Sequence, residues 1–554
     1  MSGDPDDWLK VLQRRIEQQG GKQGFAKSLA KIEQLLDRSR ADSELRPYYE
    51  QRARRRAEEL RKHLDAAEEG TLQRFARHAT EKAAMEKKRL GQKLLHSSLH
   101  PAYLKLFPPK PAHNEYADWL HMEKAAAPST EQHRKESERW RFRPCVSILL
   151  PVHNPRKEWL QEAIDSVTGQ SYSNWQLCIC DDASQEAWVY DYLHERAEAE
   201  LRIRLFCSPH ALGISGALNH AAVLSTGEYA GFLDHDDVLS PAALHYVVEA
   251  LQDEAADVIY TDEDWIDEQG KPLKPHFKPG WSPDLLACCM YVGHLVLVKR
   301  SRLDRIGWFR GEYDGAQDYD LALRATEGAK VRHVAKVLYH WRAHPESTAQ
   351  SVAIKPYTHV AGRLALEDAV KRRGWPARVE DGRLPNWYLV RHQPPRRPLV
   401  SIVAAISPQK SAESFSKMLS MRTAYPNREL LAIRTVEERE ARTRTAEGEV
   451  LLFLSDCVEP LHPDWLDYLV EQAQRPEIGA AGAKLVTADG SIEHAGIATG
   501  MMDGTGNPGR GLFRSDTWIW LNLTRDVNAV DVACLATRRD VFLQCGGFDP
   551  RFPW

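Results

Sequence analysis

From position 144 onward, apolar runs and amphipathic stretches take turns along the chain. Positions 146–152 are apolar except for Ser147, which predicts a short strand buried on both faces. Positions 158–167 carry apolar residues at helical spacing. Positions 176–180 predict a second strand, 188–200 a second helix and 203–206 a third strand. A turn with Gly213 and Gly216 opens a helix that continues through Asn219 to Leu224. The apolar run 229–233 then stops at Asp234, Asp236 and Asp237. Strand and helix in alternation predict a doubly wound α/β sheet, whose ligands gather beyond the carboxyl ends of the strands.

Neighbouring carboxylates repel one another and are best tolerated in water or around a hard cation with oxygen ligands. The Asp-x-Asp at 234–236 therefore fits two readings. One is a metal–diphosphate site for Mg²⁺ or Mn²⁺. The other is a solvated acidic turn, with Asp237 or Ser240 near the N-cap of the next helix and Pro241 at its first position. The glycine turn at 213–216 is neither a P-loop nor the dinucleotide fingerprint, since it lacks Gly-Lys-Ser/Thr and the third glycine.

The first hundred residues differ from the rest. Leu9, Leu12, Ile16, Phe25, Leu29, Ile32, Leu35 and Leu36 have helical spacing, and Lys/Arg outnumber Asp/Glu by 22 to 16. Helices with basic faces are expected. The arginines at 52–56 suit an anionic membrane surface or a partner helix, or form a solvated face. Positions 101–113 are rich in proline turns, and Tyr116 and Trp119 predict a short helix docked on the next domain.

Composition narrows the function. A length of 554 residues allows several domains, and a net charge of −4 argues against a general nucleic-acid binder. No apolar stretch is long enough to span a membrane, and the first residues do not form a signal peptide. Nine scattered cysteines without zinc-ligand spacing fit free thiols in a reducing cytosol.

Several ordered motifs carry a family resemblance: Ser147 through Pro151 to Asn154; Cys180-Asp-Asp-Ala-Ser184; Gly213 with Asn219; and Leu233-Asp-His-Asp-Asp237. Downstream come Tyr260-Thr-Asp-Glu-Asp264, Phe277 to Trp281, Gly293-His294, Gln317-Asp-Tyr-Asp320 and Tyr339-His-Trp-Arg342 with His344. Over roughly 114–360 the chain resembles the family 2 glycosyltransferases of GT-A fold, a Rossmann-like mixed sheet that binds nucleotide-diphospho-sugars. The subgroup is that of bacterial O-antigen and capsule synthesis.

The resemblance implies roles residue by residue. Asp182, with Asp181 beside it, would accept the nucleobase N3–H, so a UDP- or dTDP-linked donor is expected. Pro151, His153, Asn154, Gly213, Asn219 and Asp234 would line the donor. Asp236 would coordinate Mn²⁺ or Mg²⁺, with His340 as a protein ligand. Asp318 would be the base of an inverting transfer, although Gln317 stands where relatives carry Glu. Asp320 reads as a helix N-terminal acid. Asp262, Glu263, Asp264, Trp281, Gln317, Trp341, Arg342 and His344 would support the acceptor side or the diphosphate. The absence of Gln-x-x-Arg-Trp favours addition of one or a few sugars. The acceptor would be a surface glycan, lipid-linked, met in the cytoplasm or at the inner face of the plasma membrane.

The first motif recurs after Pro398. Ser401 mirrors Ser147, and the run 450–455 into Asp456 mirrors 229–234. The copy lacks the Asp-Asp pair, has Cys457 beside Asp456, and ends soon after Asp549. An inactive or truncated second GT-A-like module is expected. The predicted organisation is a helical region at 1–113, a transferase module at 114–392 and a degenerate module at 398–554. Two other readings remain: a nucleotidyltransferase, which lacks a basic Gly-rich loop, and a pseudo-transferase acting as scaffold or glycan binder.

Overall fold

The structure is a computed structural model that describes residues 115–344, 356–394, 396–501, 504–512 and 519–549, with ten isolated positions before 60. The chain divides into two compact units, Met1–Asp118 and Trp119–Trp554. In the first unit Leu12, Leu29, Ile32, Leu36, Ala53 and Ala57 are helical and buried, which fits their spacing. The arginine cluster at 52–56 and the proline turns at 101–113 lie outside the described residues.

Helix α1 (Glu115–Ala126) carries the chain into the second unit, where α2 (Thr130–Glu138) follows. Trp119 meets the Phe277 ring edge-on at 5.1 Å, the docking expected of it. Ser129 and Gln132 form a reciprocal capping box that fixes where α2 begins. Then come β1 (Val146–Val152), α3 (Lys157–Thr168), β2 (Trp175–Asp181), α4 (Ala187–Ala199), β3 (Ile203–Cys207), α5 (Gly213–Leu224) and β4 (Tyr229–Phe232). All seven residues of β1 are buried, as a central parallel strand requires. The predicted elements are therefore present, with ends shifted by one or two residues.

The chain continues through β5 (Val238–Leu239), α6 (Ala243–Asp253), β6 (Val258–Ile266), β7 (Pro272–His276), β8 (Val296–Lys299) and β9 (Val331–Arg342). The sheet order is β3-β2-β1-β4-β8-β6-β9-β5, with β7 paired to β6. β8 is antiparallel to both β4 and β6, which makes this the mixed sheet of the GT-A fold. Helix α6 starts two residues beyond the expected Pro241. Its N-cap is Ala242 without a side-chain bond, so neither Asp237 nor Ser240 caps it.

A second sheet follows the hairpin Ala377–Asp381 and Tyr388–His392. Its strands Val400–Ala405, Arg428–Ile433 and Val450–Ser455 are parallel, and Cys534–Arg538 runs antiparallel between Val450–Ser455 and Ala481–Gly482. Both sheets lie within the second unit and are fastened together. Arg475 pairs with Asp284 at 2.8 Å, both nearly buried. Asp526 accepts from Ser282 Oγ at 2.8 Å, and Arg391 holds Glu471 with two hydrogen bonds.

Candidate active site

The acidic turn is held from below by β9. Asp237 is buried and accepts from Tyr339 Oη at 2.6 Å and the Arg342 amide at 2.7 Å. Burial and the neighbouring acids push its carboxyl well above the ordinary range. A buried carboxylate without such donors would cost several kcal/mol, on the order of 2–7 for a polar group left unpaired. Asp237 is thus an anchor, and its commitment leaves Asp234 and Asp236 as the outward pair. Carboxylate oxygens of the three acids lie within 4.8 Å of one another, an all-oxygen set suited to a hard divalent ion. Burial raises Asp234. For Asp236 burial acts the same way, but the His344 hydrogen bond and His235 outweigh it and hold the group low.

The two histidines expected near the metal separate. His344 Nε2 meets Asp236 Oδ2 at 2.8 Å, and its ring packs at 4.9 Å on Trp159. His340 instead pairs through Nδ1 with Asp264 at 2.6 Å. Arg342 is fully buried and donates to Asp236 O, Asp267 O, Glu268 O and Glu162. It is neither a surface ion pair nor free for a diphosphate.

At the ends of β1 and β2 two loops interlock. Asn154 and Ala183 adopt left-handed backbone conformations, and Gln185 N donates to Asn154 Oδ1 at 2.8 Å. His153 Nδ1 lies 2.7 Å from Asp182 O, while Pro151 is buried within β1. Asp182 accepts from the amides of Leu212 and Gly213, so it seats the start of α5. Asp181 is buried too, and its Oδ1 has no hydrogen-bond partner among the described residues. Asn219 uses both amide ends on the backbone of Phe309 and supports that loop from behind.

Asp318 stands in the first turn of α7 (Gln317–Ala325). Its Oδ1 accepts from the Tyr319 amide at 2.8 Å, and Gln317 Oε1 accepts from Gly315 N at 2.9 Å. Gly315 has φ +95°, and a Cβ there would lie 2.4 Å from the Tyr357 ring, so the tight approach to the helix requires glycine. Burial raises the Asp318 carboxyl above its ordinary value, against the pull of His294. Asp320 is buried between Arg310 and Arg324, with Arg324 Nη2 at 2.7 Å. Its role is structural, as its helix position suggested.

A cavity of about 360 Å³ joins Asp234, His294, Gln317, Asp318 and Trp341, over an apolar floor that includes Leu218, Phe232 and Phe309. In the sequence His294 has no role of its own beyond the Gly-His pair, yet it lines this cavity among acids that favour its charged form. Its ring stacks on Tyr339 at 4.7 Å, and its amide donates to Glu263 at 2.7 Å. Burial disfavours its charge, but Glu263, Asp234 and Asp237 together raise it to about 9. Glu263 in turn holds buried Lys278 at 3.0 Å and His276 at 2.9 Å. Burial opposes its ionisation, and Lys278 with the hydrogen bonds from His276 and His294 outweighs that and pulls its pKa well down. Asp262 accepts from the Lys278 amide and from His333. The three acids at 262–264 are thus a buried support rather than an open surface. Trp281 stacks near Tyr291 at 6.4 Å in the core beside the site.

A GT-A sheet with acids beyond β4 and a carboxyl at a facing helix start defines a class of sugar-transferring enzymes. Residues 147–306 match the family described as Glycosyl transferase family 2, so that stretch is a domain of this family. It is 35% identical over 447 residues to the uncharacterized protein y4gI of Sinorhizobium fredii, covering 73% of this chain and 49% of that one. It is 34% identical over 487 residues to the O-antigen biosynthesis protein RfbC of Myxococcus xanthus, covering 80% and 38%. The chain therefore spans half or less of these relatives. Among solved structures, S. aureus TarS 1–349 in complex with UDP-GlcNAc is 17% identical, with TM-score 0.34, covering 41% of this chain and 66% of that one.

Proposed function

We infer that the first sheet carries an inverting, metal-dependent glycosyltransferase that extends a surface glycan from a nucleotide sugar. The observation that carries this is the shared cavity, which is lined by Asp318, Asp234 and His294 together. Asp318 takes the proton of the acceptor hydroxyl as that oxygen attacks the anomeric carbon, and the bond to the diphosphate breaks with its electrons. His294 favours the negative charge that gathers on the leaving group. Asp234 and Asp236 supply oxygen donors for Mn²⁺ or Mg²⁺, which when bound neutralises the diphosphate. His344 is the histidine beside that pair, in place of His340. Asp181 is the acceptor for a uracil or thymine N3–H, because Asp182 is occupied by Leu212 and Gly213. The name of the M. xanthus relative supports an O-antigen-type acceptor. No helix among the described residues is long and apolar enough to cross a membrane. The reading puts the enzyme at the cytoplasmic face, meeting a lipid-linked acceptor there.

The test is a panel of nucleotide sugars with Mn²⁺, scored for nucleoside diphosphate release. One uridine- or thymidine-linked donor should be turned over. His344→Gln should raise the Mn²⁺ needed for half-maximal rate by roughly tenfold, and His340→Gln by much less. No release and no nucleotide binding with any donor would favour the scaffold reading.

A further inference from the structure

Far from the acidic turn, α2 lies against α6 through a cluster of aromatic and imidazole rings. His245 of α6 is 1% exposed, with its ring 4.2 Å from that of His133 and 4.7 Å from that of Trp140. Its Nδ1 is buried without a hydrogen-bond partner among the described residues. Its Nε2 faces Glu136 Oε2 at 3.7 Å, too far for a hydrogen bond. Glu249, one turn along α6, completes a triad in which one ligand atom from each of Glu136, His245 and Glu249 lies within 4.8 Å of the others. The imidazole and the carboxylates therefore approach one another without a hydrogen bond between His245 and Glu136.

We propose that Glu136, His245 and Glu249 form a second divalent-metal site that ties α2 to α6 and takes a first-row transition ion such as Zn²⁺. One imidazole nitrogen and two carboxylates suit that class of ion and leave a position for water. The ring cage fixes the plane of His245, while the two glutamates are exposed and free to turn inward. Lys336 is the nearby cation. It pairs with Glu123 at 4.0 Å and sits over the Tyr246 ring at 4.6 Å.

The experiment uses the full chain carrying Asp234→Asn and Asp236→Asn, which removes the acidic turn from the count. Chelator-stripped protein is titrated with Zn²⁺ and with Co²⁺, reading bound metal, Co²⁺ absorption and Tm. One equivalent should bind, with Tm rising as Zn²⁺ is added. Adding Glu136→Gln and Glu249→Gln, both on the surface, should abolish that equivalent and the Tm response. His245→Gln should do the same if it folds. No binding in the first variant, or binding unaffected by the glutamate changes, would overturn the site. Neither result bears on sugar transfer, which is read separately in protein with the acidic turn intact.

Discussion

The two sheets share a frame and differ in what stands at its edge. In the first, Tyr172 Oη donates to Pro144 O at 2.7 Å and Asn174 Nδ2 to Arg143 O at 2.8 Å. In the second, Tyr425 Oη donates to Pro398 O at 2.8 Å and Asn427 Nδ2 to Arg397 O at 3.1 Å. Ser147 Oγ receives the Gly227 amide at 2.9 Å, and Ser401 Oγ the Gly448 amide at 2.8 Å. Val146 pairs with Trp175 and Tyr229, as Val400 pairs with Arg428 and Val450. Beyond the strand ends the likeness stops. Where the first sheet has Asp181 and the open acidic turn, the second has Arg434 at the end of its strand and Asp456 tied to Ser407. The residues that hold the shared frame are therefore not the ones at the strand ends, where the two sheets differ.

That contrast has measurable consequences. Asp318→Asn should lower the transfer rate about 10³-fold, the usual scale for a lost general base. Asp456→Asn should leave the rate within about twofold by the same logic. Equal losses would mean that the second sheet takes part in the chemistry. Arg475→Ala should destabilise the chain by about 3 kcal/mol in denaturant unfolding, since it strands buried Asp284. Two separate unfolding transitions in the wild type would instead mean that the sheets are independent. The smallest effect is in pH. Burial raises Asp318 above 3.8, and protonated Asp318 cannot accept a proton, so kcat/KM should fall as pH drops through that raised value. For Asp456, burial acts upward but the Ser407 bonds prevail and hold it below 3.8, so its contribution to stability is present above the unfolded value and lost at lower pH. An acid limb in the rate at or below 3.8 would remove Asp318 from the role of base.

The seven elements from β1 to β4 were legible in the sequence, because strands buried on both faces leave runs such as 146–152 and 176–180 that few other structures explain. The repeat was visible for the same reason, although the Tyr172 and Tyr425 anchors stood outside the motifs that revealed it. Their signal was there: a tyrosine two before an asparagine, ahead of each second strand. Pairings made across the sheet left no periodic trace. Asp264 meets His340, and Asp262 meets His333, about 70 positions away, only because β6 and β9 lie side by side. The same holds for Asp237 and Arg342, whose burial removed them from the roles their motif suggested. His294 was missed as a site residue because its charge depends on Glu263, whose own partners come from β7 and the loop after it.

The clamp of Arg475 on Asp284 has a bearing on how such a chain can change over generations. Loss of the arginine is felt at once by the sheet that retains its acids. The second sheet therefore cannot be removed without leaving Asp284 buried and unpaired, whatever chemistry that sheet carries.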